Sequence, residues 1–420
     1  MEAAGPSPAA SCRTAVRADG TPDAAAVAWT VSAGDRAALD RWCAAVGPAV
    51  VQARPAASAS STDRMDGDSI PVVTWNVHVG GGDLPAFVDS LRAGRLTDGV
   101  PVRDFVLLVQ EAWRRDTLRI PTAPADSRSA HRIHETAPGG ETVEIVDAAR
   151  RLGLSLAYVP SMRNGAGVAE DRGNAILSTL PPADVRAVEL PFENQRRVTV
   201  SATFGGAADA DGCRAAVRLT SAHLDNQSRL SRILASLGPA RTRQAKGLVR
   251  ALATGSRASF DPAMLIEAGS ASASTGSVGS AAPAVSFGRA ESSESGASTV
   301  TTGSPGSTGS TASPFAVDLV GGDFNTWFGG WEGAVRAMRR AFPQSPRQTP
   351  GATHTTGAHL DYFFVRDASG RVPTNRRIAS RFGSDHHPLL TWLRLPPRGA
   401  CPGTPTPVPA SGAVRAVPAA

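Results

Sequence analysis

From Ile70 onward, apolar runs alternate with polar breaks at regular intervals. "IPVVTWNVHV" has the texture of a strand, with one polar residue, Asn76, inside its apolar run. "DLPAFVDSLRAG" spaces its apolar residues for a helix, capped by Asp83 and stopped by Gly94. "DFVLLVQEAW" is a second buried strand and carries a single acid, Glu111. "ETVEIVDAARRLG" predicts an amphipathic helix ending at Gly153, and "LSLAYVP" a strand. "GNAILSTLP", "VRAVELP", "RRVTVSATF" and "RAAVRLTSAHLD" follow as strands broken by Pro or Gly. Helical spacing returns in "SRLSRILASLGPARTRQAKGLVRALA", with a break at Gly238-Pro239. The last elements are strand "FAVDLVGGDFN", helix "GGWEGAVRAMRRAF", strand "HLDYFFVR" and the stretch "SDHHPLLTWLRL". In that helix Trp331, Val335, Met338 and Phe342 are expected on one face. Strands outnumber helices, and several are adjacent in sequence. That favours a pair of mixed sheets with helices outside over a purely parallel wound sheet.

Three stretches depart from this texture. Residues 1–69 are rich in Ala, Pro and Ser, with one short helix expected in "DRAALDRWCAAVG", and read as a partly disordered extension. Residues 254–313 are Ser/Gly/Thr-rich and too poor in apolar surface to order themselves. Strands with related features lie on both sides, so this segment reads as an insert within one domain spanning 70–398. Residues 399–420 read as a disordered tail.

Composition adds little to this picture. The chain has 420 residues, is 41% hydrophobic and carries a formal net charge of +6, with Lys246 its only lysine. A +6 balance spread over this length is a weak nucleic-acid signal, although arginine suits bidentate phosphate contact. No run of 18 apolar residues exists, so no membrane span is expected. The first residues show no basic-then-apolar leader. Cys12, Cys43, Cys213 and Cys401 are far apart and form no zinc pattern. An even count is compatible with a disulfide in an exported protein and leaves the pairing open.

The chemistry lies in polar residues that interrupt or end apolar strands: Asn76, Glu111, His223, Asp323 with Asn325, Asp361, and Asp385 with His386. Singly, each has an ordinary explanation as a turn former, a strand end or a satisfied core histidine. His78, His131, His134, His354 and His359 carry no further signal. Jointly they make the inventory of an active site built on strand ends. Glu, Asn and Asp oxygens suit a hard divalent cation such as Mg²⁺, with Mn²⁺ as a substitute. A His beside an Asp can activate water, and an Asn with a second His can hold phosphoryl oxygens.

In order along the chain, "VVTWNVH", "LLVQEAW", "GNAILSTLP", "TSAHLDN", "GGDFNTW", "HLDYFFV" and "SDHHP" resemble the endonuclease/exonuclease/phosphatase superfamily. "GDFN" and the SDHxP pattern are the most specific of these blocks. The resemblance covers Ile70 to about Leu395 apart from the insert. It implies an α/β, deoxyribonuclease-I-like fold: a four-layer sandwich of two packed mixed β-sheets flanked by helices.

By the same resemblance, Asn76 and Glu111 hold the metal, and Asp385 binds metal or water beside His386. Asp323 orients or deprotonates the attacking water, and Asn325 contacts the phosphate. His386 is the general base or polarises the phosphate. His223 sits on the other side of the phosphate, stabilising charge or protonating the leaving oxygen, and Asp361 orients one of the two histidines, left open between them. Asn174 is a second-tier phosphate contact. Glu170, Asp171 and Arg172 have no clear match. The implied reaction is Mg²⁺-assisted hydrolysis of a phosphate ester by a monomer. Arg114, Arg115, Arg172, Arg196 and Arg197 flank the site segments and favour a phosphodiesterase of nuclease type. A phospholipid or inositol/sugar-phosphate substrate is the alternative, and a non-catalytic binding module on the same fold is the alternative of a different class. The missing leader fits the cytoplasm, whereas the resemblance leans to an exported bacterial enzyme whose leader is not in this chain.

Overall fold

A computed structural model describes residues 12–54 apart from positions 18, 20, 24, 25 and 33. It also describes 69–121, 134–136, 141–205, 208, 209, 212, 213, 216–226, 238–258, 315–347 and 351–395. The elements in chain order are β1 (Ala15–Val16), β2 (Ala28–Val31), α1 (Arg36–Ala44), β3 (Ala49–Gln52), β4 (Ser69–Asn76), α2 (Leu84–Arg92), β5 (Val106–Arg115), α3 (Ile145–Leu152), β6 (Ser155–Arg163), β7 (Glu170–Ser178) and β8 (Ala183–Glu189). Then come β9 (Val198–Phe204), β10 (Ala208–Asp209), β11 (Gly212–Cys213), β12 (Val217–His223), α4 (Pro239–Ala258), β13 (Val317–Asp323), α5 (Gly333–Ala341), β14 (Asp361–Asp367), β15 (Asn375–Arg377) and β16 (Leu389–Arg394).

Two mixed sheets result. One has eight strands in the order β1-β3-β6-β7-β5-β4-β16-β15, and the other six in the order β14-β13-β12-β9-β8-β2. Side-chain alternation along each strand sorts the core into three layers. Val72 and Leu108 of the first sheet meet Leu219, Leu319 and Phe363 of the second between the sheets. Val73, Trp75 and Leu107 face outward and are covered by Phe87 and Leu91 of α2 and Ile145 and Ala149 of α3. On the other side Val320 and Phe364 pack against Leu248 of α4 and Val335 and Met338 of α5. Three apolar layers separate four layers of structure, the deoxyribonuclease-I-like sandwich expected from the sequence.

Local chemistry sets the helix ends as read from the sequence. Asp83 caps α2 by accepting from the Ala86 amide, and Gly153 ends α3 in the left-handed region at φ 65°. One helical expectation needs correction. Trp331 does not share the buried face of α5; it sits in a 3₁₀ turn before the helix and is 80% exposed.

The segment before residue 70 also differs from the extension expected. Its described part supplies β1 and β3 to the larger sheet and β2 to the smaller, with α1 between. Its strands are two to four residues long, so they leave almost no periodic signal. Tertiary contacts hold them. Cys12 and Cys43 form a disulfide buried against Val46. Arg13 bonds Glu189 at 2.8 Å, and the Gly47 amide donates to Asp171. Arg114, itself paired with Asp171, donates to the Pro48 carbonyl. The insert at 254–313 and the tail at 399–420 lie almost wholly outside the described residues; α4 runs to Ala258, past the expected start of the insert.

Deleting residues 1–54 would remove the partner strands of β6 and β8 and strip Glu189 of Arg13. The expected result is a melting temperature lower by at least about 10 °C, or insoluble protein. An unchanged melting curve would restore the reading of this segment as an appendage.

Candidate active site

The stretch "GGDFN" shows how the site is assembled. A side chain added at Gly321 would meet Leu108 and Thr74 of the facing sheet, at 2.8 and 3.0 Å. At Gly322 it would strike the Ala222 carbonyl of the neighbouring strand at 1.8 Å. Gly321 lets the sheets close together and Gly322 lets β13 lie against β12, so the next residue, Asp323, reaches across the sandwich. Asn76, at the end of β4, donates from Nδ2 to Asp323 Oδ2 at 3.0 Å.

Register supplies the second dimension. β12 and β13 are parallel, with His223 opposite Asp323; β13 and β14 are antiparallel, with Asp323 opposite Asp361. His223, Asp323 and Asp361 therefore form one row across the end of the smaller sheet. The larger sheet contributes Asn76 and Glu111. β5 is irregular between Val109 and Ala112, and Glu111 there has φ 52°. Such a bulge re-aims a side chain that regular pleating would point elsewhere. Asn325 is also left-handed, at φ 51°, a conformation that asparagine tolerates better than most residues.

His386 arrives from the loop before β16. Its Nδ1 is 2.8 Å from Asp361 Oδ2, and its Nε2 is 3.8 Å from Asp323 Oδ2. The histidine that Asp361 holds is thus His386 and not His223. Ser384 locks the loop: its hydroxyl donates to the Asn76 carbonyl at 2.7 Å and accepts from the His386 amide. Trp75 Nε1 donates to the His386 carbonyl. His387 points away, with Nδ1 2.9 Å from the Ile378 carbonyl.

His223 is held differently. Arg197 Nη1 lies 3.1 Å from its Nδ1, and the Asn325 amide nitrogen 3.0 Å from its Nε2. Arginine and an amide NH2 both only donate, and a neutral ring offers one acceptor nitrogen, so His223 accepts from one of these two groups and carries its own N–H on the other nitrogen. Its Nε2 also lies 3.5 Å from Asp323 Oδ2 and 4.0 Å from Glu111 Oε1. Asn325 Nδ2 also donates to the Leu224 carbonyl, and the Asn325 amide N–H donates to Asp323 Oδ1.

Electrostatics separates the two imidazoles. Burial opposes charge on His386, but Asp361, Asp323 and Asp385 outweigh it and push its pKa up to about 10. His223 is driven well below the usual histidine range by burial, then by Arg197, Arg172 and His386. One ring is therefore cationic and the other neutral near pH 7. Asp323 is raised to about 6, chiefly by burial, with Asp361 adding repulsion and His386 opposing. Burial would also raise Asp385, but His354, His386 and His78 hold it at about 2.

His78 and His354 carried no signal in the sequence, yet they flank Asp385, at 3.3 and 3.2 Å. Only the chain crossing between distant segments brings them there. Among the described residues, two sets of possible ligand atoms lie within 4.8 Å at the site: Asp323, Asp361 and His386, and His354, Asp385 and His386. Glu111 is in neither. It is held instead by Arg172, whose Nη1 donates to Glu111 Oε2 at 3.1 Å and also to Glu135.

The arginines divide into two groups. Arg114, Arg115 and Arg196 are committed to ion pairs with Asp171, Glu170 and Glu189. Arg172 and Arg197 are buried beside Glu111 and His223, and the Nε of each lacks a hydrogen-bond partner. Asn174 lies on β7 across from the bulge; its amide donates to the Val198 carbonyl, and its buried Oδ1 is unpartnered. Glu170 and Asp171, unmatched in the sequence, belong to the packing of β5 and β7.

A model of the endonuclease/exonuclease/phosphatase family matches residues 73–386. The chain belongs to that family. No curated protein matches it. Among solved structures it is similar to an endonuclease/exonuclease/phosphatase from Beutenbergia cavernae, at 15% identity, covering 79% of this chain and 72% of that one, with a TM-score of 0.40. The human Nocturnin catalytic domain with bound sulfate gives 13% identity, 78% and 95% coverage and a TM-score of 0.40. An AP endonuclease from Leishmania major gives 13%, 87% and 96%, and 0.39. As a member of this family the chain is a phosphoesterase, and members of the family are generally dependent on a divalent metal. Among the described residues, no helix is long and apolar enough to cross a membrane.

Proposed function

We propose that this family member hydrolyses a phosphodiester, in nuclease fashion, by in-line attack of water assisted by Mg²⁺. One observation carries the reading. Two buried guanidinium groups, Arg197 and the Glu111- and Glu135-paired Arg172, each with an unpartnered Nε, stand beside a neutral His223, which adjoins the Asp323, His386 and Asp361 cluster. The first set suits an anionic phosphoryl group, and the second suits the water that attacks it.

The residues present fit a hard cation. Asn76, Glu111 and Asp385 offer amide and carboxylate oxygens, the donors Mg²⁺ takes, and Mn²⁺ accepts the same set. When bound, the cation would offset charge on the phosphoryl oxygens and acidify water. Asp323 orients the attacking water and takes its proton, its raised pKa matching that task. Cationic His386, fixed by Asp361, stabilises the charge that grows on the phosphoryl oxygens. Asn325 and His223 hold the oxygens from the other side, with Asn174 behind them. All of these groups come from one chain, so a monomer suffices. The Cys12–Cys43 bond fits an oxidising compartment, and export from the cytoplasm is part of the proposal.

A panel of DNA, RNA, sphingomyelin and inositol phosphates, assayed with Mg²⁺ and with EDTA, tests the substrate class. Nucleic acid should turn over fastest. Faster release from sphingomyelin or an inositol phosphate would replace the nuclease reading with its alternative.

A further inference from the structure

Three aromatic side chains stand in solvent directly after the phosphate-side Asn325. Trp327 is 40% exposed, Phe328 54% and Trp331 80%. The loop that carries them is firmly built. Thr326 is buried and its hydroxyl donates to Tyr362 Oη at 3.0 Å. The Phe328 amide donates to Glu332 Oε1, and the buried Glu332 is paired with Arg241 at 2.7 Å. The Trp331 amide donates to the Phe328 carbonyl. A buried ion pair thus anchors a loop that leaves Phe328 and Trp331 largely in solvent and Trp327 partly so.

Exposing three large aromatics together is costly unless something covers them. Their neighbours indicate what. Arg336 donates to the Trp331 carbonyl, Arg339 Nη1 lies 3.2 Å from where a side chain at Gly330 would begin, and Arg340 is exposed in the last turn of α5. Aromatic faces interleaved with guanidinium groups are the composition of a single-strand platform: bases stack on the rings and the backbone follows the charges. A lipid-inserting loop would add aliphatic side chains. Here the large apolar side chains left exposed elsewhere among the described residues are Val100, Leu118 and Val372, none in this loop.

We propose that Trp327, Phe328 and Trp331 form a stacking platform for the bases of a single-stranded nucleic acid whose scissile phosphate lies at Asn325. This rests on the nuclease reading and adds the strandedness of the substrate and the surface that selects it. Duplex DNA, whose bases are already stacked, gains nothing from such a platform.

The test compares the parent with Trp331→Ala and Phe328→Ala. Val372→Ala serves as control, because Val372 follows β14 and lies beyond the end opposite Asp361. The first readout is kcat/KM with Mg²⁺ for an oligothymidylate, taken as a ratio to that for bis-p-nitrophenyl phosphate. The second is anisotropy-measured binding, in EDTA, of the oligothymidylate and of an abasic deoxyribose-phosphate oligomer of equal length. Each aromatic variant should lower the ratio about tenfold or more, through KM, and weaken oligothymidylate binding alike. Binding of the abasic oligomer should hardly change, and Val372→Ala should behave as the parent. If the protein cleaves oligothymidylate but the aromatic variants keep the parental ratio and affinity, the platform is wrong and the nuclease reading stands. If oligonucleotides are not cleaved while bis-p-nitrophenyl phosphate is, the nuclease reading itself falls. Binding to anionic phospholipid vesicles that is lost in Trp331→Ala, with oligothymidylate binding retained, would assign the loop to a membrane instead.

Discussion

His386→Ala should lower kcat by at least about 10² to 10³, the worth of a preorganised group that stabilises charge in the transition state, while the fold persists. Its neighbour gives the internal control. The two imidazoles are adjacent in "SDHH", yet only His386 faces the cleft, against Asp361 and Asp323. His387 bonds the Ile378 carbonyl through Nδ1, and its amide donates to the Thr353 carbonyl. His387→Ala should therefore cost little beyond local packing. Steady-state hydrolysis of bis-p-nitrophenyl phosphate by both variants, with far-ultraviolet circular dichroism to check folding, decides between them. Reversed phenotypes would mean that the register of the site at this loop is wrong.

Glu111→Gln should reduce activity at least about a hundredfold, with part of the loss recovered at raised Mg²⁺. The substitution keeps the shape and leaves an oxygen for Arg172, but it removes the negative charge that holds the cation. Titrating activity against Mg²⁺ separates the two contributions. A metal effect moves the midpoint to higher Mg²⁺, whereas a collapsed bulge lowers activity at every concentration. Parental activity with parental metal dependence would remove Glu111 from the site.

Most described strands and helices of residues 70–395 were legible because their side-chain periods are local properties of the chain; β10, β11 and β15, two or three residues long, were not, and the helical stretch expected before Gly238 lies outside the described residues. The residues proposed for the site could be picked out for a related reason. A polar side chain ending an apolar strand is expensive unless it is used, so Asn76, Glu111, His223, Asp323 and Asp361 stood out. What was not legible depends on contacts between distant segments. Nothing local says that Asp361 meets His386 and not His223; the antiparallel pairing of β13 with β14 and the loop held by Ser384 decide it. His78 and His354 reach Asp385 only through the fold. Residues 12–54 look like an extension because their strands are too short for periodicity, and their stability comes from Arg13, Gly47 and the Cys12–Cys43 bond. Trp331 fell on a helical stripe by spacing alone, but the chain enters α5 through a 3₁₀ turn that swings it outward.

These strand ends are expected to work as a metal-assisted phosphoesterase and not as a binding surface on the same fold. Release of p-nitrophenol from bis-p-nitrophenyl phosphate, followed with Mg²⁺, with EDTA, and after Mg²⁺ is returned in excess over EDTA, tests it most directly. Steady hydrolysis with Mg²⁺ is expected, with its loss in EDTA and its return with the metal. Absence of hydrolysis in all three, from folded protein, would contradict it and leave the binding module; equal rates with and without EDTA would contradict the role given to the cation.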